Sequence, residues 1–252
     1  MKRLLFIPLL LLALSVGAQS ILRASSFYVA PAVAGGGSTL LNGIVAYWNG
    51  EEASGDAIDQ VGSADGVCTS ITYQVAGIVD YGYGFSEASD VITVGDVAAL
   101  ELTTFSASIW AKVPGDWKAL ISCADNPATD DGWGIRYNNN RPEFEIMTPT
   151  AGQVIANAVD LTDNAFHHIV VTYDKVTMLI YIDGAKQTDE QALSTTISYV
   201  GTSFMIGDFY DEGNNFGTGP LDEIGIWNRA LNQTEVTELY NSGAGITYPF
   251  TP

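Results

Sequence analysis

The stretch Phe166-His167-His168-Ile169-Val170-Val171-Thr172-Tyr173-Asp174, followed after Lys175-Val176 by Thr177-Met178-Leu179-Ile180-Tyr181-Ile182-Asp183-Gly184, decides the fold class. Its two apolar runs are rich in β-branched and aromatic residues, too short for helices and the right length for strands in the middle of a sheet. Asp174-Lys175-Val176 between them is short enough for a hairpin loop. Asp183-Gly184 supplies a second turn, glycine taking the positive φ that such turns require.

Working outward, Phe105 to Val113 alternates strictly: Phe105, Ala107, Ile109, Ala111 and Val113 share one face, and Ser106, Ser108, Trp110 and Lys112 the other. Period two means a strand. Trp133 to Glu145 reads as another hairpin around Asn138-Asn139-Asn140, with Trp133, Ile135 and Tyr137 on one face and Arg136 on the opposite one. Two readings of that aromatic face stand: a stacking platform for a ligand if it is concave, core if it is not. One helix is expected. Asn232-Gln233-Thr234-Glu235 has the form of a capping box, Val236, Leu239 and Tyr240 form the apolar stripe, and Gly243 fits the stop. Many short strands, glycine-rich turns and a single terminal helix predict an all-β, two-sheet antiparallel jelly-roll sandwich.

The N-terminus has a different character. Met1-Lys2-Arg3, an apolar run from Leu4 to Val16 and the small residues Val16-Gly17-Ala18 form a secretory signal pattern with cleavage after Ala18. The run falls short of the ~20 residues that cross a bilayer, and Gln19 rather than cysteine follows the cleavage point, which argues against a lipid anchor. The expected organisation is a signal peptide over residues 1–18, a flexible Ala/Ser/Gly-rich segment over 19–42, one domain over 43–246 and a tail over 247–252. The expected location is secreted, extracellular or at a cell surface, without membrane insertion. Ten basic residues stand against twenty-nine acidic ones, a net charge of −19, which repels phosphate backbones and excludes nucleic acid as a partner. Cys68 and Cys123 do not form a metal-binding pattern. An exported chain permits a bridge between them without requiring one.

The order of several motifs carries a family likeness. Phe166 to Asp174 with Leu179 to Gly184, then Phe204-Met205-Ile206-Gly207, then Gly219 to Leu231 and the helix through Tyr240, together with the opening Gly43-Ile44-Val45-Ala46-Tyr47-Trp48, resemble the LamG-like branch of the concanavalin A-like superfamily. Phe166 stands where tryptophan is commoner, Val61 replaces a small polar residue of an early turn, and Pro220 interrupts the approach to Leu221-Asp222. The resemblance implies the jelly roll, and in many members a calcium ion. Carried over residue by residue, that ion points to the Asp59 carboxylate, the Gly62 carbonyl and Asp222, a hard-oxygen set of the kind Ca²⁺ takes. The alternative is that both aspartates cap turns.

A second candidate is Asp208-Phe209-Tyr210-Asp211-Glu212-Gly213-Asn214-Asn215-Phe216, where aromatic faces and side-chain oxygens are mixed as in a sugar site. The ligand-binding set is Asp208, Tyr210, Asp211 and Asn214, joined by Trp133 and Tyr137 of the hairpin. For catalysis, a retaining glycosidase needs two carboxylates about 5–5.5 Å apart. Glu143 and Glu145 alternate but sit beside a turn without a third acid in register. Asp222 and Glu223 are adjacent and would face opposite ways on a regular strand, and His167 and His168 lack a partner motif. The sequence therefore favours a secreted carbohydrate-binding or adhesion module for extracellular or cell-surface glycan, steadied by calcium, over a jelly-roll glycosidase or lyase. A structural or assembly protein that decorates a surface, filament or virion is the alternative, and a homo-oligomer or larger assembly is compatible with both.

Overall fold

The computed structural model describes residues 38–113, 115, 118–124, 131–138, 140–147, 153–156, 159–161, 163–208 and 219–251. In chain order the strands are β1 (Ile44–Trp48), β2 (Val67–Thr69), β3 (Thr72–Ala76), β4 (Tyr81–Phe85), β5 (Val91–Gly95), β6 (Phe105–Ala111), β7 (Lys118–Ala124) and β8 (Gly132–Asn138). They continue with β9 (Arg141–Ile146), β10 (Gln153–Ala156), β11 (His167–Tyr173), β12 (Thr177–Ile182), β13 (Ala185–Ala192), β14 (Ser203–Ile206) and β15 (Gly219–Trp227), before the helix α1 (Gln233–Tyr240). They form two sheets. The first runs β13-β12-β11-β6-β15-β4-β3 with β1 also on β15, and the second runs β10-β9-β8-β7-β14-β5-β2. Every strand pairing within them is antiparallel.

The deciding hairpin forms as the sequence predicts. Tyr173 pairs with Met178 and Ile169 with Ile182, and the Asp174 carboxylate closes the loop by accepting the Val176 and Thr177 N–H groups at 2.8 and 2.7 Å. Asp183 and Gly184 both take positive φ, +50° and +76°, which matches the right-handed twist of the flanking strands. The alternation of β6 is real: Phe105, Ala107, Ile109, Ala111 and Val113 all enter the core between the sheets. There Phe105 packs on Trp133 with ring centroids 4.4 Å apart and meets Phe144 edge-on.

A second apolar cluster lies on the outer face of the first sheet, where α1 and both ends of the domain cover Tyr47, Val170, Tyr181 and Trp227. Asn232 and Glu235 make the reciprocal capping box at the start of α1. The helix stops at Asn241 in the left-handed conformation, two residues before the expected Gly243, because asparagine also tolerates that region. Leu40 and Phe250 are buried in this cluster, and the Trp227 indole donates to the Leu40 carbonyl at 2.7 Å. The packed unit therefore extends beyond 43–246 at both ends. Apolar residues hidden among small and polar neighbours gave the sequence no periodicity from which to see this.

Both cysteines are free thiols. Cys68 on β2 and Cys123 on β7 are separated by β5 and β14, about 14 Å at the usual strand spacing and too far for a bridge. Burial pushes the Cys123 thiol up to about 12, so it is unreactive.

Candidate functional site

The residues assigned to calcium fall into two separate networks. Asp59 follows β1 and its carboxylate organises the next turn. Oδ1 accepts the N–H groups of Tyr47 and Val61, each at 3.0 Å, and Oδ2 those of Gly62 and Ala64, also each at 3.0 Å. A carboxylate has about four lone-pair directions, and four backbone amides occupy them. Gly62 meets this carboxylate as an N–H donor. Asp222, on β15, accepts the N–H groups of Ile78, Val79 and Glu223 at 2.8, 3.1 and 2.8 Å, and shares no hydrogen-bond partner with Asp59. The Asp59, Gly62 and Asp222 set does not fit a shared calcium ion. Among the described residues no group of three or more His, Cys, Asp or Glu side chains is arranged to hold a metal.

Asp222 and Glu223 also depart from the simple alternation expected of them. The β15–β6 register shifts between Asp222 and Gly225, and Glu223 sits at φ +48°. This bulge re-aims Glu223, whose carboxylate receives the Tyr47 hydroxyl. Both acids are buried. Burial raises Asp222 to about 7, and burial followed by the charge of Asp222 raises Glu223 to about 8.

On the hairpin β8–β9 the aromatic question resolves to core. Trp133 and Tyr137 are fully buried, facing the first sheet, so neither is a ligand-binding platform. Their burial forces the intervening side chains outward, because successive residues of a strand point to opposite faces. Gly134, Arg136 and Asn138 thus share the outer face of the second sheet with Glu143 and Glu145, their neighbours on β9. The Arg136 guanidinium holds both acids, Nε to Glu143 Oε2 at 3.0 Å and an Nη to Glu145 Oε2 at 3.2 Å. Asn138 Nδ2 also donates to Glu143 Oε2, at 3.2 Å. Register carries this row across the sheet: Glu145 is opposite Gly134, Gly134 opposite Ser122, and Ser122 opposite Met205.

Ser122 Oγ donates to the backbone carbonyl of Asp208 at 2.9 Å. Asp208, itself buried, thereby brings the start of the acidic and aromatic stretch to the same face. Tyr210, Asp211 and Asn214 lie outside the described residues. The Arg136–Glu143–Glu145 cluster was not read as a ligand face from sequence, although the signal was present: a basic and two acidic residues alternate with core aromatics on both arms of one hairpin.

The two histidines have structural partners. His167 lies between Asp183 (Nδ1, 2.8 Å) and Asp163 (Nε2, 3.0 Å), and the Asp183 hydrogen bond raises its pKa. His168 Nε2 meets Ser108 Oγ at 2.9 Å, but neither residue is more than 2% exposed. The imidazole is stacked on Trp110 and Tyr240, so this serine–histidine pair faces packing and has no access to a substrate. Burial lowers His168 to about 3. A histidine neutral in the fold and protonated in the unfolded chain stabilises fully above pH ~6.5 and loses that contribution as pH falls toward the folded value, by roughly 1.4 kcal/mol per pH unit. Urea unfolding between pH 7 and 4 is expected to show a shallower acid loss in His168→Phe than in the wild type. Identical slopes would show that another group sets the acid limb.

Two antiparallel sheets around a shared core, the first covered on its outer side by the helix, define the class of the protein, a jelly-roll sandwich. The chain belongs to the concanavalin A-like lectin/glucanases superfamily, whose laminin-G-type model matches residues 86–237, more than half of its length. No curated protein matches it. Among solved structures, the binding domain of Paraclostridial Mosquitocidal Protein 1 is similar at TM-score 0.64 and 19% identity, over 80% of this chain and 52% of that one. Domain 4 of AbnA, a GH43 extracellular arabinanase from Geobacillus stearothermophilus in complex with arabinotriose, is similar at TM-score 0.63 and 16% identity, over 77% of this chain and 97% of that one. The binding domain of botulinum neurotoxin serotype D is similar at TM-score 0.61 and 14% identity, over 79% and 51%. The chain thus spans about half of each toxin binding domain and nearly all of the arabinanase domain. At these identities the likeness is one of fold.

Proposed function

We propose that the protein is a secreted carbohydrate-binding module that engages extracellular glycan through the outer face of its second sheet. The observation that carries this reading is the Arg136, Asn138, Glu143 and Glu145 cluster, set on a row of small residues and held by strands whose opposite faces are locked into the core. Such groups suit sugar hydroxyls: carboxylates accept O–H groups, guanidinium and amide N–H groups donate, and a rigid sheet presents them without an ordering cost. The family and the arabinotriose-bound similar domain support the same class of ligand. The leader pattern at residues 1–18 supports export. Calcium has no part in the proposed site.

The test is a broad glycan array probed with the purified protein, followed by calorimetry on any oligosaccharide retained. Binding that weakens on the order of tenfold in Arg136→Ala is the expected result, with a lowered melting temperature because Glu143 and Glu145 lose the cation between them. Tenfold corresponds to about 1.4 kcal/mol, the scale of one well-made polar contact. Failure to retain any glycan would remove the lectin reading in favour of a structural or assembly role.

A further inference from the structure

We infer that His167 is a proton-operated clasp: its imidazolium pins segment 163–166, which leads into β11, to the turn between β12 and β13, and loss of the proton frees the Asp163 end. The ring lies between two carboxylates from different parts of the fold, Nδ1 at 2.8 Å from Asp183 Oδ2 and Nε2 at 3.0 Å from Asp163 Oδ1. The Ala165 N–H holds the Asp163 carboxyl low, and at Asp183 burial pushes upward but is outweighed by the hydrogen bonds from His167 and His168. Both acids are therefore ionised wherever an imidazole titrates, and an ionised carboxylate only accepts. An imidazolium donates at both nitrogens and satisfies the two together. A neutral ring has one N–H, and turns its remaining lone pair on the other carboxylate.

The two contacts are unequal, which decides the one that breaks. Asp183 Oδ1 is also fixed by the His168 N–H at 3.0 Å, and α1 faces the same turn with Tyr240 and with Gln233, which donates to the Gly184 carbonyl at 2.6 Å. The Asp163 side chain is 61% exposed, and its bond to the Ala165 N–H at 2.9 Å is local. The neutral ring thus keeps its proton on Nδ1 and lets Asp163 go. Release ends at Leu161, whose side chain is buried and whose N–H is held by the Tyr137 hydroxyl. The charges acting on His167 are those of Asp183 and Asp163. Opposite it β6 brings Ala111, and Lys186 on β13 is taken up by Glu190 at 2.8 Å. The Asp183 hydrogen bond raises His167 against the opposing effect of burial, with Asp163 adding to the rise. A group whose proton is held more tightly in the fold stabilises fully below its unfolded value, about 6.5, and loses that contribution as pH rises through the higher folded one. The clasp is closed in acid and opens toward alkaline pH.

The experiment follows imidazole signals and backbone order parameters by NMR on isotope-labelled protein between pH 5 and 9, in the wild type and in Asp163→Ala, a substitution at an exposed position. The chain has two histidines, and burial keeps His168, lowered to about 3, neutral across this range. The expected His167 midpoint in the wild type lies above 6.5, each further pH unit meaning an about tenfold firmer hold. Over the same transition the order parameters of Asn164 and Ala165 are expected to fall from about 0.85 toward about 0.6, while Leu161 stays rigid. In Asp163→Ala the midpoint should drop and both residues should be mobile at every pH. A wild-type midpoint at or below 6.5, or one that Asp163→Ala leaves in place, would overturn the inference. Constant order parameters while His167 titrates would overturn it as well, since the proton would then change the charge without releasing the segment.

Discussion

Asp59→Ala is expected to destabilise the domain by about 2–6 kcal/mol, from the cost of leaving buried amides unpaired. Four N–H groups converge on the Asp59 carboxylate, and those of Tyr47 and Ala64 are buried with it. Alanine provides no acceptor, and water cannot reach the two buried donors without opening the turn. The loss is large against the 5–15 kcal/mol that typically separates folded from unfolded domains. Asp59→Asn separates shape from chemistry: it keeps the volume, exchanges one acceptor oxygen for a donor NH₂, and should retain part of the stability. Denaturant melts in excess calcium and in chelator are expected to give the same loss for Asp59→Ala. A wild-type melting temperature several degrees higher in calcium, with the increment missing from Asp59→Ala, would return an ion to this carboxylate.

Asp59 also shows where sequence reading stops. The motif containing Asp59 and Gly62 was legible as a turn, and the two roles it allowed, turn cap and ion ligand, differ only in where the lone pairs point. That direction is set by the path of the backbone from Tyr47 to Ala64, a tertiary property with no local pattern. The deciding hairpin, the alternation of β6 and the Asn232 capping box were legible because each is specified within about ten residues by periodicity or by a turn. Leu40 and Phe250, at opposite ends of the domain, were not, because they are buried by each other's surroundings. The bulge at Glu223 likewise leaves no mark in composition, and it undid the expectation that Asp222 and Glu223 alternate. The Arg136 cluster falls between these cases. Its alternation was visible, but which face was inner and which was outer required the second sheet to be placed against the first.

That choice of face underlies the second large effect, expected for Trp133→Ala: a loss of about 3–5 kcal/mol, typical of removing a large buried aromatic. The Trp133 ring fills the space between the sheets, against Phe105 at 4.4 Å and Phe204 at 6.2 Å between ring centroids. Phe105 and Phe204 sit on different sheets, so the cavity left by alanine would be walled by residues that cannot close over it together. Relaxation is limited and the cavity cost should be near its full value. Trp133→Phe should recover much of the loss by keeping an aromatic in place. The same substitution distinguishes the two roles that the sequence allowed for this residue. A stacking platform on a ligand face would lose on the order of tenfold in glycan affinity on mutation to alanine while its melting curve stayed in place. A core residue moves the melting curve by many degrees. Urea unfolding of Trp133→Ala beside Arg136→Ala, its neighbour on the opposite face of β8, makes the comparison within one strand. Binding should fall in the second, and a Trp133→Ala protein as stable as the wild type would mean that the inner and outer faces of β8 have been exchanged.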